Sequence, residues 1–312
     1  MNAEKNLINE LYSNTETDVN VLQDPEVAHI VLNANKVLGQ HSVPGLIVEA
    51  KELKDGVNVK IRVEDNVKIK KTVHMCFGMI PEQGIQRIIM NVHVGKNAGI
   101  SILAHCIFPN AIEVQHIMNA EITVDEGGEY SYFEKHVHSP EGGVKVYPKA
   151  TVYLNANAHF KTEFELIKGR VGLIDIDYET FAKESSTTEM TSRISGIEDD
   201  LIKVKESGVL QGEYARGVLT SKIAVRDRAR AEVFNKLKAT AAYARGHVDC
   251  KEIVQDNGVA LAIPIIEVHH PKARITHEAA IGSVDTKQLE TLMSRGLSEE
   301  EAVDIIIQGL LK

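Results

Sequence analysis

ATVYLNANAHFKTEFEL, residues 150–166, alternates apolar and polar side chains around a short break, LNANA at 154–158. Alternation with period two marks a strand with one buried face, and such a break marks a turn. The pattern extends outward. GVNVKIRVE (56–64), IIMNVHV (88–94) and AEITVDE (120–126) alternate in the same way. GKNAG at 95–99, DEGG at 125–128, KESG at 205–208 and QDNG at 255–258 give further turn signals. Each strand–turn–strand unit takes about 20–30 residues, with no strict repeat. Many short strands without crossover helices predict an all-β body over residues 45–270, as a sandwich, a barrel or a β-helix. Only RDRARAEVFNKLKATAAYAR (226–245) resists, because its helix propensity is high.

Both flanks read as helical. In residues 1–44, Asp24 suits an N-cap, Pro25 suits the first helical position, and Glu26 favours the positive helix end. Val27, Ile30, Val31, Ala34, Val37 and Leu38 follow at helical spacing, and Gly39 supplies a stop. In residues 271–312, Asp285 caps a first short helix with Gln288 three residues on. Ser298 caps a second, with Glu301 completing a capping box. Ala302, Val303, Ile306, Ile307 and Leu310 form one wide apolar stripe. It is too large for the hairpin to bury alone, so it needs the β body or a partner.

Composition narrows the function classes. The 312 residues are 43% hydrophobic and carry 35 basic against 44 acidic side chains, a formal charge of -9. A nucleic-acid surface needs a basic face, so that class is disfavoured. No apolar run nears the roughly 18 residues of a membrane span, and the N-terminus lacks the apolar core of a signal peptide. The expected place is therefore the cytoplasm. Cys76, Cys106 and Cys250 are odd in number, widely spaced and without a CxxC pair, which argues against a disulfide framework or a structural zinc site. No P-loop is present, so the chain is not expected to hydrolyse ATP or to be an enzyme, and no catalytic residue is assigned.

The C-terminal string ITHEAAIGSVDTKQLETLMSRGLSEEEAVDIIIQGLL resembles the signature of the SufB/SufD family: an HEA element at His277–Ala279, a QL helix, RGLSEEEA at Arg295–Ala302, and an apolar helix. IIEVHHPKARITHEA, HVDCKEIVQDNGVALAIP and ISILAHCIFPNAIEVQHIMNAEI are similar to family segments upstream, the last two carrying Cys250 and Cys106 at the places of SufB cysteines. The likeness spans about residues 85–312 and is strongest after 247. The long N-terminal region of many SufB proteins is absent, as in short stand-alone members.

The resemblance implies a mainly β fold, a right-handed parallel β-helix core flanked by N-terminal and C-terminal helices, with strands over 226–245. It implies a scaffold for iron–sulfur cluster assembly. A SufC-like ABC ATPase would dock on the C-terminal helices. A homodimer would form through the β-helix edge, and a transient cluster would assemble at that junction around Cys250. A thiolate suits iron and sulfide and can carry a persulfide. His277 and Glu278 match family residues near the assembly site and would complete the ligand set as nitrogen and oxygen donors. Thr276 stands where the family usually has an acid. Strand alternation turns His247 and Asp249 away from the side of Cys250, and lets only one of His277 and Glu278 face it. Ligands from two chains, with fewer thiolates than the four of a stable cluster, suit a scaffold that gives its cluster away. Cys106 would accept sulfur, with Glu134 and His136 on an internal transfer path where longer SufB proteins have Gln and Trp. The sulfur donor is not indicated. Cys76 matches nothing in the family and reads as structural.

Other readings stand beside these. Each cysteine could be an inert core residue, and Glu278 could merely pair with an arginine. A SufD-like structural partner would lack an assembly cysteine. His136-Val-His138 resembles half of a cupin metal motif, the basis for a cupin-type metalloenzyme.

Overall fold

The computed structural model describes residues 2–311. Strands make up 58% of the chain and wind into a parallel β-solenoid of about eight turns, with helices at both ends. After helix α1 (Asn2–Tyr12) and a single 3-10 turn (Val19–Gln23), two antiparallel hairpins start the sheets. They are β1 (His29–Asn33) with β2 (Lys36–His41), and β3 (Leu46–Leu53) with β4 (Gly56–Val63). Paired strands then follow, one on each wall: β5 (Val73–Gly78) and β6 (Gln83–Val94), β7 (Gly99–Phe108) and β8 (Glu113–Val124), β9 (Glu129–His138) and β10 (Val144–Leu154), β11 (His159–Lys168) and β12 (Leu173–Ala182). They continue as β13 (Thr187–Gly196) and β14 (Leu201–Leu210), β15 (Arg216–Val225) and β16 (Arg230–Ala239), β17 (Arg245–Val254) and β18 (Val259–Val268), and a last strand β19 (Arg274–Gly282). The odd-numbered strands from β5 to β19 extend the β2–β1 pair into one sheet. The even-numbered strands from β6 to β18 extend β3–β4 into the other. Helices α2 (Thr286–Met293) and α3 (Glu299–Leu311) close the chain.

Alternation makes the lumen. Val152 and Leu154 of β10 and Phe160, Phe164 and Leu166 of β11 point inward and are buried, so the stretch 150–166 is one corner with its two strands. Successive coils stack in register: Thr187, Arg216, Arg245 and Arg274 lie side by side, 29 residues apart. One corner holds a left-handed residue in turn after turn, at Asn97 (φ 51), Gly127 (φ 66) and Asn157 (φ 59). Gly and Asn are the residues that reach this conformation at least cost. The amides of these three donate to the carbonyls of Glu126, Ala156 and Glu184 one coil on, so the corner is hydrogen-bonded along the axis.

Three expectations are corrected. The helix read over residues 24–39 is instead the β1–β2 hairpin, turning at Ala34 (φ 52). Asp24 Oδ1 does accept a backbone N–H, from Glu26, but as an isolated turn rather than a helix cap. Ile30 and Leu32 bury into the lumen while Val31 buries outward under Leu11 and Tyr12. A short apolar run covered on both faces mimics helical spacing. The N-terminal segment 1–44 is thus helical only in its first part. KESG (205–208) is no turn but lies inside β14, with Glu206 pointing into the lumen. At the other end β19 occupies 274–282, so helix begins only at Thr286. Residues 230–239 are strand despite their propensity, because burial on alternate positions outweighs a preference of a few tenths of a kcal/mol per residue. Both C-terminal caps form: Asp285 Oδ1 accepts from Gln288 N (2.8 Å), and Ser298 N donates to Glu301 Oε2 (2.8 Å).

Candidate functional site

Two polar places in the lumen hold a cysteine. The first lies among β6 to β9. Glu134, His136 and His138 face inward on β9 and stand in register with Ala104, Cys106 and Phe108 of β7. His116 of β8 and Gln86 of β6, also in register, face them from the other sheet. All five polar side chains and Cys106 are buried. They join into one chain. Gln86 Nε2 donates to the carbonyls of Ala34 (2.7 Å) and Gly78 (3.0 Å), and Gln86 Oε1 meets His116 Nδ1 at 2.8 Å. His116 Nε2 lies 3.8 Å from Cys106 Sγ, which donates to Glu134 Oε1 at 3.4 Å. The same carboxyl oxygen meets His136 Nε2 at 2.7 Å. His136 Nδ1 meets His138 Nε2 at 3.1 Å, and His138 Nδ1 donates to the Arg170 carbonyl at 2.9 Å.

Burial sets the charges here. It pushes the Cys106 thiol far above its ordinary range, and the Glu134 carboxylate adds to this. Burial also drives His116 down to about 3 and His138 well below the usual imidazole range, so both rings are neutral. Burial alone would raise Glu134, but the hydrogen bond and charge of His136, with His116 and Cys106, bring it below the usual carboxylate range. Cys106, Glu134 and His136 are therefore brought together. Gln86 and His116 went unread in the sequence, because they enter from the opposite sheet; His138 reads there only as half of a cupin motif. The His136–His138 pair is engaged internally, and the solenoid is not a cupin barrel, so the cupin reading falls.

The second place lies toward the other end. Val248, Cys250 and Glu252 face inward on β17. Asn235 Nδ2 lies 3.8 Å from Cys250 Sγ, and Ser221 Oγ donates to Glu252 Oε1 at 3.0 Å. Burial raises the Cys250 thiol, partly offset by hydrogen bonds from Ser221 and Asn235. Burial also pushes the Glu252 carboxyl up to about 7. His247 and Asp249 turn outward as alternation requires: His247 Nδ1 meets Thr276 Oγ1 at 2.8 Å, and Asp249 holds Lys251 at 2.9 Å. Between the two cysteines the lumen is lined with buried Thr162, Thr180, Thr188, Ser192 and Glu206. Ser192 Oγ donates to Glu206 at 2.7 Å, and burial raises that carboxyl to about 7.

The register of β17 with β19 separates the remaining candidates. His277 stands beside Val248, on the lumen-facing side, whereas Glu278 stands beside Asp249, on the outer side. Ala279 stands beside Cys250. All three are exposed, on a strand whose far edge has no partner among the described residues. One chain thus does not gather Cys250, His277 and Glu278. Among the described residues, the group that puts three such ligand atoms within 4.8 Å of one another is Cys106, His116 and Glu134. Cys76 faces outward and is buried under Leu11 and Tyr12, in a small apolar cluster with Val31 and Ile107.

α3 packs Val303, Ile307 and Leu311 onto Ala224 and Val284, and Arg226 pairs with Asp304. Its outer side leaves a cleft of about 910 Å³ between the two helices, lined by Leu292, Ile305, Ile306 and Leu310. No helix among the described residues is long and apolar enough to cross a membrane.

Comparison with known proteins agrees with these features. Residues 81–310 match the family model described as the SUF system FeS cluster assembly, SufBD core domain. An iron–sulfur cluster assembly SufBD family protein of Methanocaldococcus jannaschii is 38% identical over 282 residues, covering 90% of this chain and 89% of its own. One of Pyrococcus horikoshii is 36% identical over 302 residues, covering 97% and 92%. One of Staphylococcus aureus is 39% identical over 70 residues, covering 22% of this chain and 15% of its own.

Proposed function

The chain belongs to the SufBD family of iron–sulfur cluster assembly proteins, and we propose that it is the scaffold on which a cluster is built as cargo at a junction of two copies. The observation that carries this reading is the position of Cys250, one coil from the end of both sheets. There β18 and β19 keep open edges, and Val259, Leu261, Val268 and Ile281 are exposed. Open edges with apolar side chains invite pairing with another chain. Two copies joined at this end would bring their Cys250 coils together. Ala279, the small residue stacked beside Cys250, is on the coil that covers the thiol toward the junction, so a shift of that coil would open it. His277 comes from the same side as a nitrogen donor, while Glu278 would have to be supplied across the pair. Mixed sulfur, nitrogen and oxygen ligation holds iron less firmly than four thiolates.

The cleft between α2 and α3 is the proposed seat of a SufC-like ABC ATPase, whose movement would act on the junction through the contact of α3 with Ala224 and Arg226. Cys106, with Glu134 and His136, is the proposed sulfur acceptor, and the polar lumen past Ser192 and Glu206 is the proposed path toward Cys250. Anaerobic reconstitution with ferrous iron and sulfide tests the assignment. Wild type develops the visible absorption of a cluster, and Cys250→Ala loses it. Cys106→Ala keeps it, because free sulfide bypasses the acceptor. A Cys250→Ala protein that reconstitutes like wild type removes Cys250 from the site.

A further inference from the structure

At both ends of the chain around Cys106 the hydrogen bonds run outward from its centre. Their direction can be traced from backbone carbonyls, which only accept. At one end the two carbonyls on Gln86 fix its amide nitrogen toward them, so Oε1 accepts from His116 Nδ1. His116 then keeps a lone pair on Nε2, aimed at Cys106 Sγ. At the other end the Arg170 carbonyl takes the proton of His138 Nδ1, so His138 Nε2 accepts from His136 Nδ1. His136 Nε2 and Glu134 Oε1 share one proton. The middle is left with Cys106 Sγ, His116 Nε2 and both oxygens of Glu134, and only the thiol proton among them. Glu134 Oε2 is buried with no hydrogen-bond partner.

We propose that this centre is a mononuclear site for a divalent transition-metal ion, with Cys106, His116 and Glu134 as ligands and a fourth position open to water or sulfide. The spacing suits it. A tetrahedral ion with metal–sulfur near 2.3 Å and metal–nitrogen or –oxygen of about 2.0–2.1 Å holds its ligand atoms about 3.5 Å apart. Here Sγ is 3.8 Å from the imidazole nitrogen and 3.4 Å from the carboxyl oxygen. The ligand charges balance the ion: a dication with one thiolate and one carboxylate is neutral, and the one positive charge left by the proton that His136 and Glu134 share is matched when the fourth position takes hydroxide or hydrosulfide. Thiolate with imidazole and carboxylate selects zinc or ferrous iron over magnesium or calcium. The outer supports are in place, His116 held by Gln86 and Glu134 by His136. On binding, the S–H bond breaks, a metal–sulfur bond forms and the proton leaves to solvent, with no electron transferred. Metal and persulfide then exclude each other at Cys106. The site does not depend on Cys250 or on a second copy.

Titration of the metal-stripped full chain with cobalt(II) tests it. One ion per chain gives a near-ultraviolet thiolate-to-cobalt band and the visible bands of four-coordination, and zinc displaces it. Cys106→Ser loses the thiolate band, and His116→Gln weakens binding at least tenfold. Cys250→Ala keeps the band even where it loses cluster reconstitution, so the two assignments fail separately. Zinc raises the melting temperature of wild type and Cys250→Ala but not of Cys106→Ser. A wild type without the thiolate band, a band that survives Cys106→Ser, or one that vanishes in Cys250→Ala overturns the proposal. The wild-type and Cys250→Ala readouts decide the matter even if a lumen variant does not fold.

Discussion

Around Cys106 the lumen is a chain of ring and amide side chains locked end to end between backbone carbonyls, with coils continuing on both sides. Around Cys250 it holds small polar partners, Ser221, Asn235 and Glu252, and one coil further on the sheets stop. Both thiols sit on an inward position of the same sheet, and both are buried. Position along the axis, rather than local structure, separates them. A coil in the middle of a solenoid is covered by neighbours above and below, so it opens only with the body. A coil near a free end has one such cover, and β19 supplies it with exposed side chains.

The largest expected effect on this contrast is in stability. Leu11 is fully buried where the N-terminal helix covers the sheet outside Cys76 and Ile107. Leu11→Ala should lower the unfolding free energy by about 3 kcal/mol, the usual range for a buried leucine. Ile281 on β19 is 48% exposed. Ile281→Ala should stay within about 0.5 kcal/mol in dilute protein. Urea unfolding of the two variants makes the comparison, and equal losses would erase the distinction between closed and open ends. A loss at Ile281 that grows with protein concentration would sharpen it, because association stabilises the folded chain by mass action.

The strands were legible wherever one face is buried and the other wet. The stretch 150–166 and the capped hairpin at 285–311 read correctly for that reason. Residues 24–39 did not, because β1 is covered on both faces and its apolar run carries no period. KESG misled because a lumen with polar side chains places Glu206 where alternation expects an apolar residue. The gathering of Cys106, Glu134 and His136 rests in the sequence on family likeness, and His116 and Gln86 escaped it. They lie on the opposite wall, and coil lengths vary between 28 and 30 residues at β9, β11, β13 and β15. No fixed repeat tells which residues face each other across the lumen. The same holds for His277 and Glu278: alternation separates them, but only register says which one shares the side of Cys250.

Buried carboxyls give the second measure. Glu206 lies in mid-solenoid and Glu252 next to the open end, and both titrate near 7 against 4.5 for the free side chain. Between those values the folded chain holds a proton that the unfolded chain has released. Stability therefore falls as pH rises from about 4.5 to 7 and is flat above. Glu206→Gln removes its share of that slope and should gain about 3 kcal/mol relative to wild type at about pH 8, since one pKa unit corresponds to ~1.4 kcal/mol. Ser192 can still donate to the amide oxygen. Glu252→Gln should gain less, because water reaches the last coils more easily. Denaturation across this pH range reads both, and a larger gain at Glu252 would reverse the assignment of the drier region.

The smallest effect is kinetic and bears most directly on access. Burial raises all three thiols above their ordinary pKa, so none reacts quickly at neutral pH. Modification must then wait for an opening, and its rate follows the population of the open form. Exposing Cys250 requires only the exposed last coil to fray. Exposing Cys106 requires parting β7 from both β5 and β9 and breaking the chain of bonds from Gln86 to Arg170. Alkylation under native conditions, followed by peptide mapping, should label Cys250 at least about tenfold faster than Cys106, a difference of about 1.4 kcal/mol in opening free energy. Cys76, under Leu11 and Tyr12, should lag with Cys106 in wild type and speed up in Leu11→Ala. Labelling of Cys106 at the pace of Cys250 would mean that mid-solenoid is as open as its end. The two cysteines would then differ in ligands alone.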